Sequence, residues 1–290
     1  MNLPISIYLT YLRLAWFMRK HFGVETYGLG WTAAKVGQAF SFQFNGMPFR
    51  FVPKAARSYC LLPAGIPNEP ETHQFLSRVL ACVGGGVTFI DIGASIGEFA
   101  ISMAHNGKVD RVIAFEPHPV TADALRASAE FVPRGNIEVI EKGVGATTGF
   151  ATFDLNEIAP TGAGLRPSDA NKPFARIPLC TLDETIAVSS SAPLIVLIDI
   201  EGGELDALRG GQKLIAREKP LIIFEYNATT RRFFQLPHAA DLLGDDYKIY
   251  RIRSEDGRLD NDLTTTWNVV ALPQQGPWQH LNQLQGLFSE

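Results

Sequence analysis

The sequence predicts an α/β fold, a mostly parallel sheet with helices on both faces, preceded by an N-terminal helix and a β-hairpin. Three observations carry this. From residue 87 onward, short apolar runs alternate with helical stretches. The first run ends in a Gly-punctuated turn that opens a helix, and the run 194–199 is apolar at nearly every position, as a strand buried on both faces requires.

The elements follow in order. Leu3 to Met18 is largely apolar, and Ser6, Thr10, Arg13 and Lys20 fall on one stripe at helical spacing, which describes an amphipathic helix with a narrow wet face. The run is shorter than the ~20 residues a spanning helix needs. It has neither the basic lead nor the small-residue cleavage site of a signal peptide. The reading places it against its own body or a partner copy in a homodimer; peripheral membrane contact through residues 3–18 is the second option. Phe40 to Phe44 and Met47 to Phe51 flank Asn45-Gly46, a hairpin signature. Asn68 is the expected N-cap of a helix running through Val83, with Pro70 in its first turn. Residues 1–68 are therefore read as an extension (a lid or dimerisation surface) and 69–290 as the main domain.

Strands are expected at 87–91, 111–116, 136–141, 194–199 and 221–225, with helices beginning at Gly97, Val120 and Glu204. Two more strands, 247–252 and 266–272, are expected as an antiparallel pair at the sheet edge, linked through Asp256-Gly257. Between the third and fourth strands, 150–155 and 176–179 read as short strands, and 159–172 as a mobile Gly- and Pro-rich loop.

Bulk chemistry narrows the partners. A net charge of −4 gives no basic face for nucleic acid. The three cysteines are scattered, with no paired spacing to one another or to a histidine, which suits free thiols in a reducing, cytoplasmic compartment.

The strongest local signal is Asp91-x-Gly93-x-x-x-Gly97, placed directly after a strand and before a helix. Glycines let the backbone turn sharply and approach a ligand, and the helix N-terminus offers N–H groups to a carboxylate. Asp91, Ile92, Gly93, Ala94, Ser95 and Gly97 are thus candidate cofactor residues. Glu116, closing the second strand, is placed to accept hydroxyl protons of a ribose, with Pro117 fixing the turn. Gly143 and Val144, after the third strand, stand where an adenine ring would lie; a plain tight turn explains them equally well. The G-x-G-x-x-G form of dinucleotide enzymes is missing, which disfavours an NAD-dependent oxidoreductase.

Asp199, Glu201 and Glu204 stand at the end of the central strand, with Glu225 ending its neighbour. Ligands bind at such strand ends, and a carboxylate there can take the proton of an attacking hydroxyl. Asp199 and Glu201 are the candidate bases and Glu225 the candidate orienting group; Glu204 reads equally as a helix cap. The set could hold Mg²⁺, but the sequence favours a site without metal. His118 reads as a surface loop residue, His238 as a surface residue or second base. Arg231, Arg232, Phe233 and Phe234 are candidates for an acceptor pocket or for a helix with one apolar and one basic face.

The strings TFIDIGASIGEFAISMA, RVIAFEPHP, NIEVIEKGVG, TLDE and LIDIEGGELDALRGG occur in that order. Together, over roughly residues 69–226 and including the NEPET entry, they resemble the FkbM family of S-adenosylmethionine-dependent O-methyltransferases. The resemblance implies a class I methyltransferase (Rossmann-like) fold of seven strands, S-adenosylmethionine over Gly93 to Gly97, and methylation of a hydroxyl on a sugar, glycan or natural-product scaffold. Ser95 stands where the family usually has Asn, and Leu197 where it commonly has Lys. Leu197 keeps open a second reading, a methyltransferase fold that binds a partner without turnover.

Overall fold

In a computed structural model, the structure describes residues 2–24, 28–154, 174–186 and 192–289. Helix α1 (Ile5–Phe22) starts after Pro4 and stops at Gly23, whose φ of 66° closes the last turn, with Gly23 N donating to Arg19 O and Val24 N to Met18 O. Arg19, Lys20 and His21 in that turn complement the helix dipole. The predicted wet stripe is exposed, but only one of its two apolar flanks is buried. Tyr8, Leu12 and Ala15 enter the core, while Ile7, Leu14 and Phe17 stay about half exposed, at 55, 57 and 49 %. Among the described residues no helix is long and apolar enough to cross a membrane.

After the short α2 (Leu29–Ala33), β1 (Phe40–Phe44) and β2 (Met47–Phe51) form the expected hairpin, with Asn45 and Gly46 both at positive φ. Phe42, Phe44, Phe49 and Phe51 point inward. Helix α3 (Pro70–Ala81) begins one residue later than predicted and ends two residues earlier. Asn68 does not cap it. Its backbone N–H and side-chain amide both donate to the carboxylate of Glu98, at 2.9 and 2.6 Å, and its Oδ1, the atom a cap would use, accepts from Leu61 N instead.

The α/β body then runs β3 (Val87–Ile92), α4 (Glu98–His105), β4 (Val109–Phe115), α5 (Pro119–Ala129) and β5 (Ile137–Ile140). There follow β6 (Gly143–Val144), β7 (Gly149–Asp154), β8 (Phe174–Cys180), α6 (Leu182–Thr185), β9 (Leu194–Ile198), α7 (Glu204–Arg209), α8 (Gln212–Glu218) and β10 (Leu221–Glu225). The chain closes with α9 (Leu236–Leu243), β11 (Tyr247–Ile252), β12 (Leu259–Asp260) and β13 (Asn268–Pro273).

The main sheet has the order β12-β11-β13-β10-β9-β3-β4-β5. Strands β10, β9, β3, β4 and β5 are parallel, and β13 inserts between β10 and β11, antiparallel to both. This is the α/β architecture expected of a class I methyltransferase, extended by one strand. The turn at Asp256-Gly257 leads into the two-residue β12 and not directly into β13, so the sheet has eight strands where seven were expected. A second correction concerns Gly143 and Val144. They do not form a turn; they pair with Leu179 and Cys180 as the edge of a separate three-stranded sheet with β7 and β8. The loop expected at 159–172 lies outside the described residues.

Alternation along β3 feeds two cores, one on each face of the sheet. Val87 and Phe89 join the face covered by α3, α4 and the extension, and Ile90 and Ile92 join the face covered by α7, α8 and α9. Tyr8, Leu12, Phe44 and Tyr59 belong to the first core, so α1 and the hairpin share a core with the main domain. The strand order reverses between β3 and β9, and the crevice of such a sheet opens at the carboxyl ends of those two strands.

Candidate active site

Those two strand ends touch. Asp199 N donates to Ile92 O at 2.9 Å. Gly93 has a φ of 90°, and a side chain there would overlap the carbonyl of Asp199, so close approach requires glycine on both counts. The loop is pinned from the other side by β4. Gly93 N and Ala94 N both donate to Phe115 O, and Ser95 N donates to Glu116 Oε2 at 2.7 Å. Ser95 itself has a φ of 48°, a conformation Asn tolerates better than Ser, which gives the family's usual Asn a physical reason.

Glu116 is buried and accepts two more hydrogen bonds at Oε1, from His118 N at 2.8 Å and Thr121 Oγ1 at 2.9 Å. It therefore clamps the Gly loop to α5; burial raises its pKa, and these donors oppose the rise. His118 is not a surface residue. It is buried, its Nδ1 accepts from Val120 N as the cap of α5, and burial lowers its pKa. The amides of Gly93, Ala94, Ser95 and Gly97 are all engaged inside the fold, so these four are not the free donors predicted for a cofactor carboxylate.

A cavity of about 770 Å³ opens at the crevice. Of the predicted residues, Asp91, Gly93, Ala94, Ser95, Asp199, Glu201 and Glu225 line it. Ile92, Gly97, Glu116, Pro117, Gly143 and Val144 do not; Ile92 and Val144 are core residues, and Gly143 packs against Leu179. Sequence reasoning missed Trp16, Arg19 and Lys20 of α1, together with Cys60, Glu69 and Trp267, all of which line the same space. A local signal existed only for Glu69, inside the NEPET string.

The acceptor pocket expected from residues 231–234 does not form there. Arg231 is held by Leu263 O, Thr266 Oγ1 and the Tyr226 ring, Phe233 covers Gly202, and Phe234 is core. His238 is exposed and joins Gln235 in capping α9. Glu204 turns back onto its own loop: its carboxylate accepts from Ile200 N at 3.1 Å and from Gly202 N at 3.0 Å. That grip fixes the turn in which Glu201 adopts a φ of 56°.

The cavity concentrates carboxyl groups. Burial, then the neighbouring Asp199, pushes the Asp91 carboxyl up to about 8. Burial followed by Glu201 and Glu204 lifts Asp199 to about 7, and burial followed by Asp199 and Glu201 lifts Glu225 to about 10. Glu69 is raised well above its usual value by burial and by Asp199, although Asn268 Nδ2 donates to it. Both shifts run upward, the direction that makes a carboxylate a better proton acceptor. Leu197, buried in β9 directly opposite Asp91, puts an apolar side chain on the floor of this acidic space.

The chain is similar to known methyltransferases. Hexuronic acid methyltransferase AglP of Haloferax volcanii is 29 % identical over 120 residues, 41 % of this chain and 48 % of that protein; the chain spans about half the length of this curated relative. Among solved structures, methyltransferase FkbM from Methylobacillus flagellatus superposes with a TM-score of 0.47 at 21 % identity, over 76 % of this chain and 55 % of that one. A TehB-like SAM-dependent methyltransferase from Corynebacterium glutamicum gives 0.42 at 11 %, over 73 % and 90 %. The profile of the methyltransferase FkbM domain matches residues 91–255, from the Gly-loop aspartate to the edge of the sheet, and the chain belongs to that family.

Proposed function

We propose that this methyltransferase moves a methyl group from S-adenosylmethionine to a hydroxyl of a sugar-class acceptor that carries a negative charge. The observation that carries the reading is the meeting of the Gly93–Ser95 loop with Asp91, Asp199 and Glu225 in one cavity large enough for a small-molecule ligand. A sulfonium and an ammonium are cations, and a space lined by carboxylates favours them. Asp91 is assigned to the amino group of the donor.

In the reaction the acceptor oxygen attacks the methyl carbon, the carbon–sulfur bond breaks, and sulfur keeps the electron pair. The hydroxyl proton goes to Asp199 or Glu201, while Glu225, on the neighbouring strand end, orients the acceptor. Arg19 and Lys20 supply positive charge at the cavity rim and suit an anionic acceptor, in keeping with the name of the archaeal relative. The extension that contributes them then serves as the lid of the site.

The test combines binding with product chemistry. S-adenosylhomocysteine at 100 times its dissociation constant stabilises a protein by about 2.7 kcal/mol, and a melting shift of several degrees is expected. Labelled donor with uronate-bearing and neutral glycosides should then yield a base-stable methyl ether. A base-labile ester refutes the hydroxyl assignment. Donor binding without turnover on any acceptor returns the chain to the reading of a binding protein.

A further inference from the structure

The three strand-end carboxylates offer more than a place for protons. Carboxylate oxygens of Asp199, Glu201 and Glu225 all lie within 4.8 Å of one another. Glu225 is only 4 % exposed; Asn227 Nδ2 donates to its Oε1, and its Oε2 is buried with no hydrogen-bond partner among the described residues. A buried carboxylate oxygen left without a partner is costly, so that atom marks a position for something the cavity takes up. The trio is held rigidly. Strands β9 and β10 pair Ile198 with Phe224, so Asp199 and Glu225 leave adjacent strands at the same level. The Glu204 carboxylate ties down the amides on either side of Glu201.

Although the sequence favoured a site without metal, from this geometry we propose that Asp199, Glu201 and Glu225 bind one divalent cation of the Mg²⁺ or Mn²⁺ class. An all-oxygen, anionic donor set suits a hard cation, and no Cys or His belongs to the group. One oxygen from each residue fills about half of an octahedral shell and leaves positions for water or an acceptor oxygen. The last role rests on the methyl-transfer reading; binding of the ion does not.

The experiment titrates Mn²⁺ into the full chain, free of donor and acceptor, follows free Mn²⁺ by electron paramagnetic resonance, and then competes with Mg²⁺. One Mn²⁺ per chain, displaced by Mg²⁺, is expected. Glu225→Gln, nearly isosteric, should weaken it by about ten-fold or more. Leu197→Lys, which sets an ammonium opposite Asp91, should abolish it. Circular dichroism checks that both variants fold, and Glu225→Gln suffices if the buried lysine does not. No Mn²⁺ bound by the parent at millimolar concentration, or equal affinity in Glu225→Gln, overturns the site. S-adenosylhomocysteine titration runs in parallel: donor binding lost with the Mn²⁺ site intact refutes the methyl-transfer reading alone, and the reverse overturns only the cation site.

Discussion

Gly93→Ala is the substitution most informative about the crevice. The residue sits at a φ of 90°, where a non-glycine residue costs about 1–3 kcal/mol. Its new methyl would overlap the carbonyl oxygen of Asp199 and stand 2.9 Å from the carbonyl carbon, so one of two strand ends must move. Forcing atoms into a packed interior costs a further ~1–3 kcal/mol. The sum, about 2–6 kcal/mol, is a large part of the ~5–15 kcal/mol that holds a domain together. At ~2–4 °C per kcal/mol for a chain of this size, the melting temperature should drop by roughly 10 °C. Gly97→Ala provides the contrast. Its φ of 92° brings similar backbone strain, but the new methyl meets the side chains of Leu125 and Ile101, which can give way. Both variants should melt early, and only Gly93→Ala should also lose S-adenosylhomocysteine binding by calorimetry at a temperature where it is still folded. If Gly93→Ala melts within about 2 °C of the parent, under ~1 kcal/mol, the close approach of loop to strand end is wrong.

Three further perturbations test the surroundings. Asp91 has its carboxyl pushed up to about 8, against about 3.9 for an unfolded Asp. Between those values the native chain holds a proton that the unfolded chain has released, so this group's contribution to stability falls as pH rises from about 4 to about 8. Asp91→Asn should flatten the denaturation-midpoint-versus-pH curve over that window, by up to about 1.4 kcal/mol per pH unit where Asp91 dominates; parallel curves for parent and variant refute it. Leu12→Ala, in the buried row of α1, should cost ~2–5 kcal/mol in urea unfolding, whereas serine at exposed Ile7, Leu14 or Phe17 should each change it by about 0.5 kcal/mol or less. Arg19→Ala with Lys20→Ala should raise KM for an anionic acceptor about ten-fold or more while leaving S-adenosylhomocysteine affinity unchanged; an equal effect on a neutral acceptor removes the charge-recognition role.

How much of this was legible in the sequence depended on range. The apolar runs of β3, β9 and β10 are buried on both faces, so they announce central strands without any tertiary knowledge. The Gly loop was legible because positive φ and close approach leave a residue signature. The outer elements were harder. Helix α1 reads as amphipathic with a narrow wet face, but within the chain only the flank with Tyr8, Leu12 and Ala15 is buried. Gly143 and Val144 looked like a turn because a two-residue edge strand carries no period of its own; only pairing with Leu179 and Cys180 defines it.

The site itself shows why residue types can be named before their neighbours can. Period-two alternation puts Leu197 and Asp199 on one side of their strand line, and Ile223 and Glu225 on one side of theirs. What no local pattern supplies is that β9 lies beside β3, more than 100 residues earlier, in the register that sets Asp91 opposite Leu197. Once that register exists, Asp91, Asp199 and Glu225 share one cavity, where burial and then Asp199 raise the pKa of the other two, and α1 brings Arg19 and Lys20 to the same space. The acids were visible one by one, but their mutual repulsion is a property of the sheet order. On the proposed reading, those acids meet the cationic donor and the basic rim on α1 meets an anionic acceptor, so charge would sort the two ligands before shape does.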